Sequence, residues 1–260
     1  MSVPRPAKPE DGLAWITGAS SGIGRQLALE LVRRGWTVAA TARRAEELEK
    51  LAAEVPTGRI LAVPADVTEP EPLATAVRAL EARVGRPIAL AVLNAGTYLP
   101  DSAEAFDLAS FTLQVKVNVL GTANALAAVM PAMIARRSGQ VAIVSSVAGY
   151  RGLPRAIAYG ATKAALIAMS ESLKFDLDRA GVTISLINPG FVKTPLTDKN
   201  DFPMPFLMPV ERAAERIADG LARGRFEIAF PWRFVAILKT MRILPYCVYF
   251  ALVGRTTGRR

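Results

Sequence analysis

The sequence predicts an α/β protein built on a three-layer, doubly wound parallel sheet of about seven strands, with helices on both faces and an apolar helical tail. Three observations predict it. Apolar runs of strand length recur at 13–17, 36–41, 59–63, 88–93, 140–144, 182–187 and 226–230, and they are continuous rather than alternating, the pattern of strands buried on both faces. Helical patterns separate them. Small or polar residues follow several of these runs, and such sheets bind ligands at the carboxyl ends of their strands.

The chain has 260 residues, 51% of them hydrophobic, which suits one large domain over 1–230 and an extension over 231–260. A single cysteine, Cys247, excludes an internal disulfide framework and a cysteine-rich metal site. Met1 to Gly12 is short, Pro-rich and polar, so a reducing, cytosolic setting is expected. The net charge is +9, and residues 226–260 hold six bases against one acid. The rest is only mildly basic and lacks the clustered Lys/Arg face of a nucleic-acid binder.

Taken in order, the run Leu13 to Thr17 stops at Gly18-Ala19-Ser20-Ser21-Gly22-Ile23-Gly24, and a helical pattern follows through Leu27 and Leu31 to Gly35. Strand, glycine turn and helix let the backbone approach a phosphate, which the helix N-terminus meets with free N–H groups. The spacing is G-x-x-x-G-x-G, which differs from the general dinucleotide fingerprint. After the second strand, Trp36 to Thr41, stand Ala42, Arg43 and Arg44 where an acid would bind a ribose 2′-hydroxyl. Two guanidiniums there suit a 2′-phosphate. Following a helix at 45–54 and the strand 59–63, Asp66 and Val67 come just past the strand end. Asp66 either accepts from an adenine amino group or caps the helix beginning near Glu69.

A helix near 71–84 ends at Gly85. Strand Ile88 to Leu93 closes on Asn94-Ala95-Gly96, residues that let a flat group lie against the chain. Residues 106–137 read as helix, with Asn118 at the midpoint and Gly121 permitting a kink that frees a carbonyl for a water. Strand Gln140 to Val144 delivers Ser145 and Ser146, and a helix at 157–180 ends before Gly181. Strand Val182 to Ile187 leads to Asn188-Pro189-Gly190-Phe191-Val192-Lys193-Thr194. The proline-broken stretch after it, over 194–208, contains Leu196, Phe202, Met204, Phe206, Leu207 and Met208. It is read either as an apolar substrate lid or as a surface connection packed by its own side chains. Helix 210–222 and a strand at 226–230 follow.

Within the helix at 157–180, Tyr159 and Lys163 are four residues apart and share a face. A phenol titrates near 10, and a nearby cation favours the phenolate and lowers that value. A tyrosine tuned in this way serves as a general acid or base, in a chain that has no histidine.

In the order and spacing of Thr17 to Gly24, Asn94 to Gly96, Asn118, Ser146, Tyr159-x-x-x-Lys163 and Pro189-Gly190, residues 13–230 resemble the single-domain short-chain dehydrogenase/reductase family. The resemblance implies a Rossmann-type fold and a nicotinamide cofactor. It makes Tyr159 the proton donor or acceptor and gives Lys163 the tasks of lowering its pKa and binding the nicotinamide ribose. Ser146, chosen over Ser145 for its thirteen-residue gap to the tyrosine, would bond the substrate oxygen, and Asn118 would hold a water. Gly18 and Ser20 to Gly24 would cradle the pyrophosphate, Asp66 and Val67 would meet adenine, and 94–96 would pass the riboses. Pro189, Gly190, Val192 and Thr194 would seat the nicotinamide, and Arg43 matches the NADP-preferring pattern.

The expected activity is NADP(H)-dependent hydride transfer to or from a carbonyl or secondary alcohol of an apolar substrate. A dinucleotide-binding regulatory or scaffold protein on the same fold is the other class, and the intact Ser146, Tyr159 and Lys163 argue against it. A homodimer or homotetramer is expected. The tail at 231–254 mixes aromatic, aliphatic and basic residues, and its longest uncharged stretch, 243–254, is too short to span a bilayer. It is read as a cover for the pocket, a subunit contact, or a helix lying peripherally in a membrane interface.

Overall fold

Among the residues that the computed structural model describes, 4–199 and 204–256, seven strands form one parallel sheet. They are β1 Leu13–Thr17, β2 Val38–Thr41, β3 Ile60–Ala62, β4 Ile88–Leu93, β5 Gln140–Val144, β6 Thr183–Pro189 and β7 Glu227–Phe230. Their spatial order is β3-β2-β1-β4-β5-β6-β7, so the winding reverses between β1 and β4. Every carboxyl end points to one edge, where a crevice opens at the reversal.

Continuous burial of the strands hides a period of two. Ala14 and Ile16 of β1 and Leu90 and Val92 of β4 join one core layer, while Leu13, Trp15, Ala91 and Leu93 join the other. The first layer is covered by α1 Gly22–Arg33, α2 Ala45–Ala53 and α7 Val210–Ala222, through Leu27, Leu48 and Ile217 among others. The second lies under α3 Pro70–Val84, α5 Gly121–Ala135 and α6 Ile157–Ala180, through Leu73, Val129 and Leu166. Each such buried side chain contributes roughly 1.5–3 kcal/mol. Trp15 satisfies its one polar atom inside the core by donating from Nε1 to Thr41 Oγ1 at 2.8 Å.

The helix expected over 106–137 begins later and is not uniform. Asp107 caps α4, Leu108–Val115, accepting from the amides of Ala109 and Ser110. Lys116–Leu120 then form a π-turn before α5 continues. The irregularity anticipated at Gly121 is this π-turn just before it, and Gly121 itself packs closely on the loop after β3, where a Cβ would lie 2.7 Å from Val67 Cγ2. This 28-residue segment is long and apolar enough to cross a membrane by length and composition. Its buried stripe, Gln114, Asn118, Thr122, Val129 and Met133, packs inward.

The tail forms α8 Trp232–Arg242 and α9 Tyr246–Thr256. Phe234, Val235 and Leu238 of α8 join Val147, Tyr150, Ile167 and Leu186 in a third apolar cluster beside β6. The extension thus packs on the body of the domain.

Candidate active site and cofactor cleft

The turn after β1 is held open by contacts that only glycine allows. Gly18 has φ +67°, and a Cβ on it would lie 2.8 Å from Ala95 Cα. A Cβ on Gly24 would lie 2.4 Å from both Gly18 O and Asn94 Nδ2. Asn94 ties the two strand ends together. Its Nδ2 donates to Thr17 O at 3.0 Å and to Gly18 O at 3.2 Å, while Thr17 Oγ1 accepts from the amides of Asn94 and Ala95. Ser21 precedes α1 without a side-chain cap, so the first-turn amides have neither an intrahelical acceptor nor a capping oxygen. A concave glycine backbone with such amides fits a phosphate.

A crevice of about 480 Å³ runs from this turn to the middle of the sheet edge. At one end lie Arg43 and Arg44, both exposed, with Asp66 and Val67 beside them. Asp66 makes a local turn: its Oδ1 accepts from the amide and the hydroxyl of Thr68, both at 2.9 Å. The helix itself starts at Pro70 with Glu69 as its cap residue, so Asp66 stands one turn before the cap position. These residues fit an adenosine bearing a 2′-phosphate, with two cations placed on the wall.

Ser146, Tyr159 and Lys163 lie at the other end. Strand β5 ends between two serines with different tasks. Ser145 is buried and donates to Lys163 O at 2.7 Å, so its hydroxyl is committed to α6. Ser146 faces the crevice, accepts from Ala148 N at 3.1 Å and donates to Pro189 O at 3.4 Å, with its hydroxyl beside the Tyr159 phenol. Tyr98 packs edge-on against Tyr159, ring centroids 5.1 Å apart. Lys163 Nζ donates to Val144 O at 2.9 Å and sits 5.6 Å from the Tyr159 ring centroid.

The electrostatics differ from the simple expectation. Desolvation raises the Tyr159 phenol to about 12; the bond from Ser146 opposes this and the neighbouring Tyr98 adds to it. Lys163 is 4% exposed, and burial lowers its ammonium to about 8. The anticipated lowering of the Tyr159 pKa by Lys163 is therefore corrected: its ammonium is spent on a carbonyl, and burial dominates both groups. At neutral pH Tyr159 holds its proton.

Asn118 sits in the π-turn with no exposed surface. Its Oδ1 accepts from Thr97 N at 2.7 Å, and its Nδ2 donates to Thr97 O and to Thr162 Oγ1, each at 3.0 Å. Its carbonyl accepts from Thr122 Oγ1 at 2.7 Å. The side chain thus fixes the segment after β4 to the helix that carries Tyr159. A Cβ on Gly96 would lie 3.3 Å from Asn118 Oδ1 and 3.6 Å from Lys163 Nζ, so the predicted 94–96 turn, Asn118 and Lys163 meet.

Beyond β6, Pro189, Gly190, Val192 and Thr194 line the crevice, and Thr194 Cγ2 would be 3.3 Å from a Cβ on Gly22. The loop therefore crosses back over the glycine turn. Thr197 holds it, accepting from Thr194 N at 3.0 Å and bonding Val192 O at 2.7 Å. Val192 pairs with Met208 as an isolated bridge that closes the base of the loop. Phe234 of α8 stacks on Phe191 with ring centroids 5.6 Å apart and meets Phe206 in a tilted contact at 6.0 Å. Phe202, part of the apolar-lid reading, lies outside the described residues. Among the described residues the crevice wall includes none from the tail, and α8 meets the loop after β6 through Phe191 and Phe206.

Of the predicted cofactor-binding and acid–base residues, all but Gly24, packed against Gly18 and Asn94, and Asn118 line this crevice. Asn118 stands just behind it. Missed were Tyr98, Leu113, Val117 and Thr197. Leu113 and Val117 lie four residues apart on the helix that leads to Asn118, a spacing that could have flagged them; nothing in the sequence marks Tyr98 or Thr197.

Residues 13–203 match the family of short chain dehydrogenases. An uncharacterised oxidoreductase of Myxococcus xanthus is 41% identical over 244 residues, covering 93% of this chain and 96% of that protein. Another from Staphylococcus epidermidis is 33% identical, over 75% of this chain and 84% of its own. Among solved structures, a short-chain dehydrogenase from Streptomyces avermitilis superposes with TM-score 0.80 at 27% identity, covering 95% of this chain and 98% of that one. ElxO with NADP bound superposes with TM-score 0.75 at 26% identity, over 84% and 97%. With the family match spanning most of the chain and the fold agreeing, this protein belongs to the short-chain dehydrogenase family and is an oxidoreductase.

Proposed function

We propose that the protein is an NADP(H)-dependent oxidoreductase that interconverts a carbonyl and a secondary alcohol on an apolar substrate, acting in the cytosol as a homo-oligomer. The observation that carries this reading is that Ser146, Tyr159 and Lys163 stand at one end of the crevice whose other end presents Arg43 and Arg44. When bound, the nicotinamide supplies or accepts the hydride. The chain does the rest. In the reductive direction Tyr159, protonated at neutral pH, gives its proton to the substrate oxygen, and Ser146 donates to that oxygen or to the phenol, aligning the two. Lys163, its Nζ held by Val144 O beside the Tyr159 ring, would bind the nicotinamide ribose. Arg43 and Arg44 read the ribose phosphate, a task an acid at Ala42 would oppose. The neighbour with NADP bound supports the cofactor choice.

The test is turnover of apolar ketones and aldehydes by the purified protein with NADPH. Tyr159→Phe is expected to lower the rate by about 10²–10⁴-fold while NADPH binding by fluorescence titration persists. Retained turnover would overturn the acid–base assignment. Ala42→Asp with Arg43→Ala is expected to move preference toward NADH; unchanged selectivity would place the phosphate reader elsewhere.

A further inference from the structure

The extension beyond β7 leaves an apolar surface that the fold does not cover. Helix α8 turns Phe234, Val235 and Leu238 inward and presents Trp232, 70% exposed, with Arg233 and Ile237 on its outer side. Ile243, in the turn, is 81% exposed. Helix α9 buries Tyr249 and exposes Tyr246, Cys247, Val248 and Phe250, the last at 62%. A helix that is apolar nearly all round belongs in an apolar environment. Its eleven residues are too few to span a bilayer, which takes about twenty.

The turn between the helices is fixed rather than loose. Arg151 donates to Met241 O and, at 2.8 Å, to Leu244 O, and its guanidinium lies 4.0 Å from the Tyr249 ring centroid and 4.7 Å from that of Tyr246. The Tyr249 hydroxyl donates to Gly152 O at 2.6 Å. The exposed side chains are therefore held in place before any partner arrives, which lowers the ordering cost of docking.

Charge decides the partner. From residue 228 to the end there is no acid, and Arg233, Lys239, Arg242, Arg255, Arg259 and Arg260 are all basic. Glu227, the acid before them, is engaged by Lys239, Tyr150 and Asn188. Arg259 and Arg260 lie outside the described residues and count here by sequence only. A two-fold contact with a second copy would set this basic patch against itself. An anionic lipid surface accepts both features, apolar side chains entering the interface and arginines meeting headgroup phosphates.

We propose that the outer faces of α8 and α9, with the turn at Ile243, dock in the plane of an anionic phospholipid surface. This stands apart from the cofactor and acid–base assignments.

The chain contains its own probe. Of its three tryptophans, Trp15 and Trp36 are buried and Trp232 is exposed. Tryptophan emission of the full chain would be followed with vesicles of phosphatidylcholine alone and of phosphatidylcholine mixed with phosphatidylglycerol, at low and high salt. On the anionic vesicles at low salt the emission should shift to the blue and acrylamide quenching should fall several-fold, with neither change on neutral ones. Trp232→Phe should abolish the shift. Arg233→Glu with Arg242→Glu should weaken vesicle partitioning by roughly 25-fold or more, at about fivefold per base, with the melting curve unchanged. Should that variant fold poorly, the salt dependence of the native chain decides instead. Emission indifferent to anionic vesicles at low salt would overturn the proposal. So would a dimer in light scattering that Phe250→Ser converts to monomer while vesicle binding is absent, which would assign the face to a second copy.

Discussion

The two sides of the crevice are built on different principles. On the cofactor side, from Gly18 to Gly24 and across to Asn94–Gly96, backbone touches backbone. Positions that a single Cβ would fill alternate with an amide clamp that ties β1 to β4. On the other side, at 189–199 and 204–208 with α8, side chains pack on one another: three neighbouring phenylalanine rings, one isolated bridge and a threonine that hydrogen-bonds its own loop. The difference teaches where residue identity is dictated. A backbone that must come within contact distance of a phosphate permits only glycine, whereas a wall that must merely exclude water accepts any apolar side chain of suitable size.

The strongest way to break this contrast is Gly24→Ala. Its Cβ would meet a carbonyl and a clamped amide at 2.4 Å, neither of them the far end of a flexible side chain, so the β1–α1 turn must move. A loss of about 1–3 kcal/mol, shared between stability and dinucleotide affinity, is expected from titration and thermal melts. Gly152→Ala is the comparison, since nothing lies within 4 Å of its Cβ, and it should change neither. Equal tolerance of both would mean that the turn is not close-packed.

Between the two sides sits Lys163, and pH probes it. Its ammonium titrates near 8 in the folded chain and near 10.5 when unfolded, so from pH 8 to 10.5 the unfolded state binds more protons. The cost of burying the charge is fully present below 8, and stability should rise by about 3 kcal/mol as pH climbs through that window. Tyr159 has the opposite sign. Raised from 10 to about 12, it remains protonated in the folded chain while the unfolded phenol ionises, so stability should fall from pH 10 upward. Chemical denaturation at stepped pH should therefore show a rise that Lys163→Met removes and a fall that Tyr159→Phe removes. A flat profile in the native chain would show Lys163 to be solvated.

How much was legible follows from the same contrast. The strands and the glycine turn could be read because continuous apolar runs and glycine spacing are local signals, and the helix at 157–180 falls where its pattern and Gly181 put it. Ser146 was preferred to Ser145 only through the family resemblance, and in the structure Ser145 donates to Lys163 O. Three things were not legible. The clamp made by Asn94 and the bracing by Asn118 join residues 77 and 21 positions apart, and no local pattern encodes such partners. The pKa of Lys163 depends on burial from several elements at once. The tail's docking rests on Arg151, 90 positions from the carbonyl of Met241 that it holds.

The smallest effect tests the Phe206 side alone. Phe206 has φ +60°, a conformation that costs a non-glycine residue roughly 1–2 kcal/mol, and its ring stacks on Phe234. Phe206→Ala keeps the strain and loses the ring contact, worth about 0.5–1.5 kcal/mol, so an apolar substrate's KM should rise roughly 2- to 10-fold with NADPH affinity unchanged. Phe206→Gly should raise KM equally yet regain stability, because glycine adopts that backbone freely. A parallel loss of NADPH affinity in either variant would mean that the two sides are coupled through the 191–208 loop, whose Thr194 leans on Gly22, and the division of labour between backbone and side chain would have to be redrawn there.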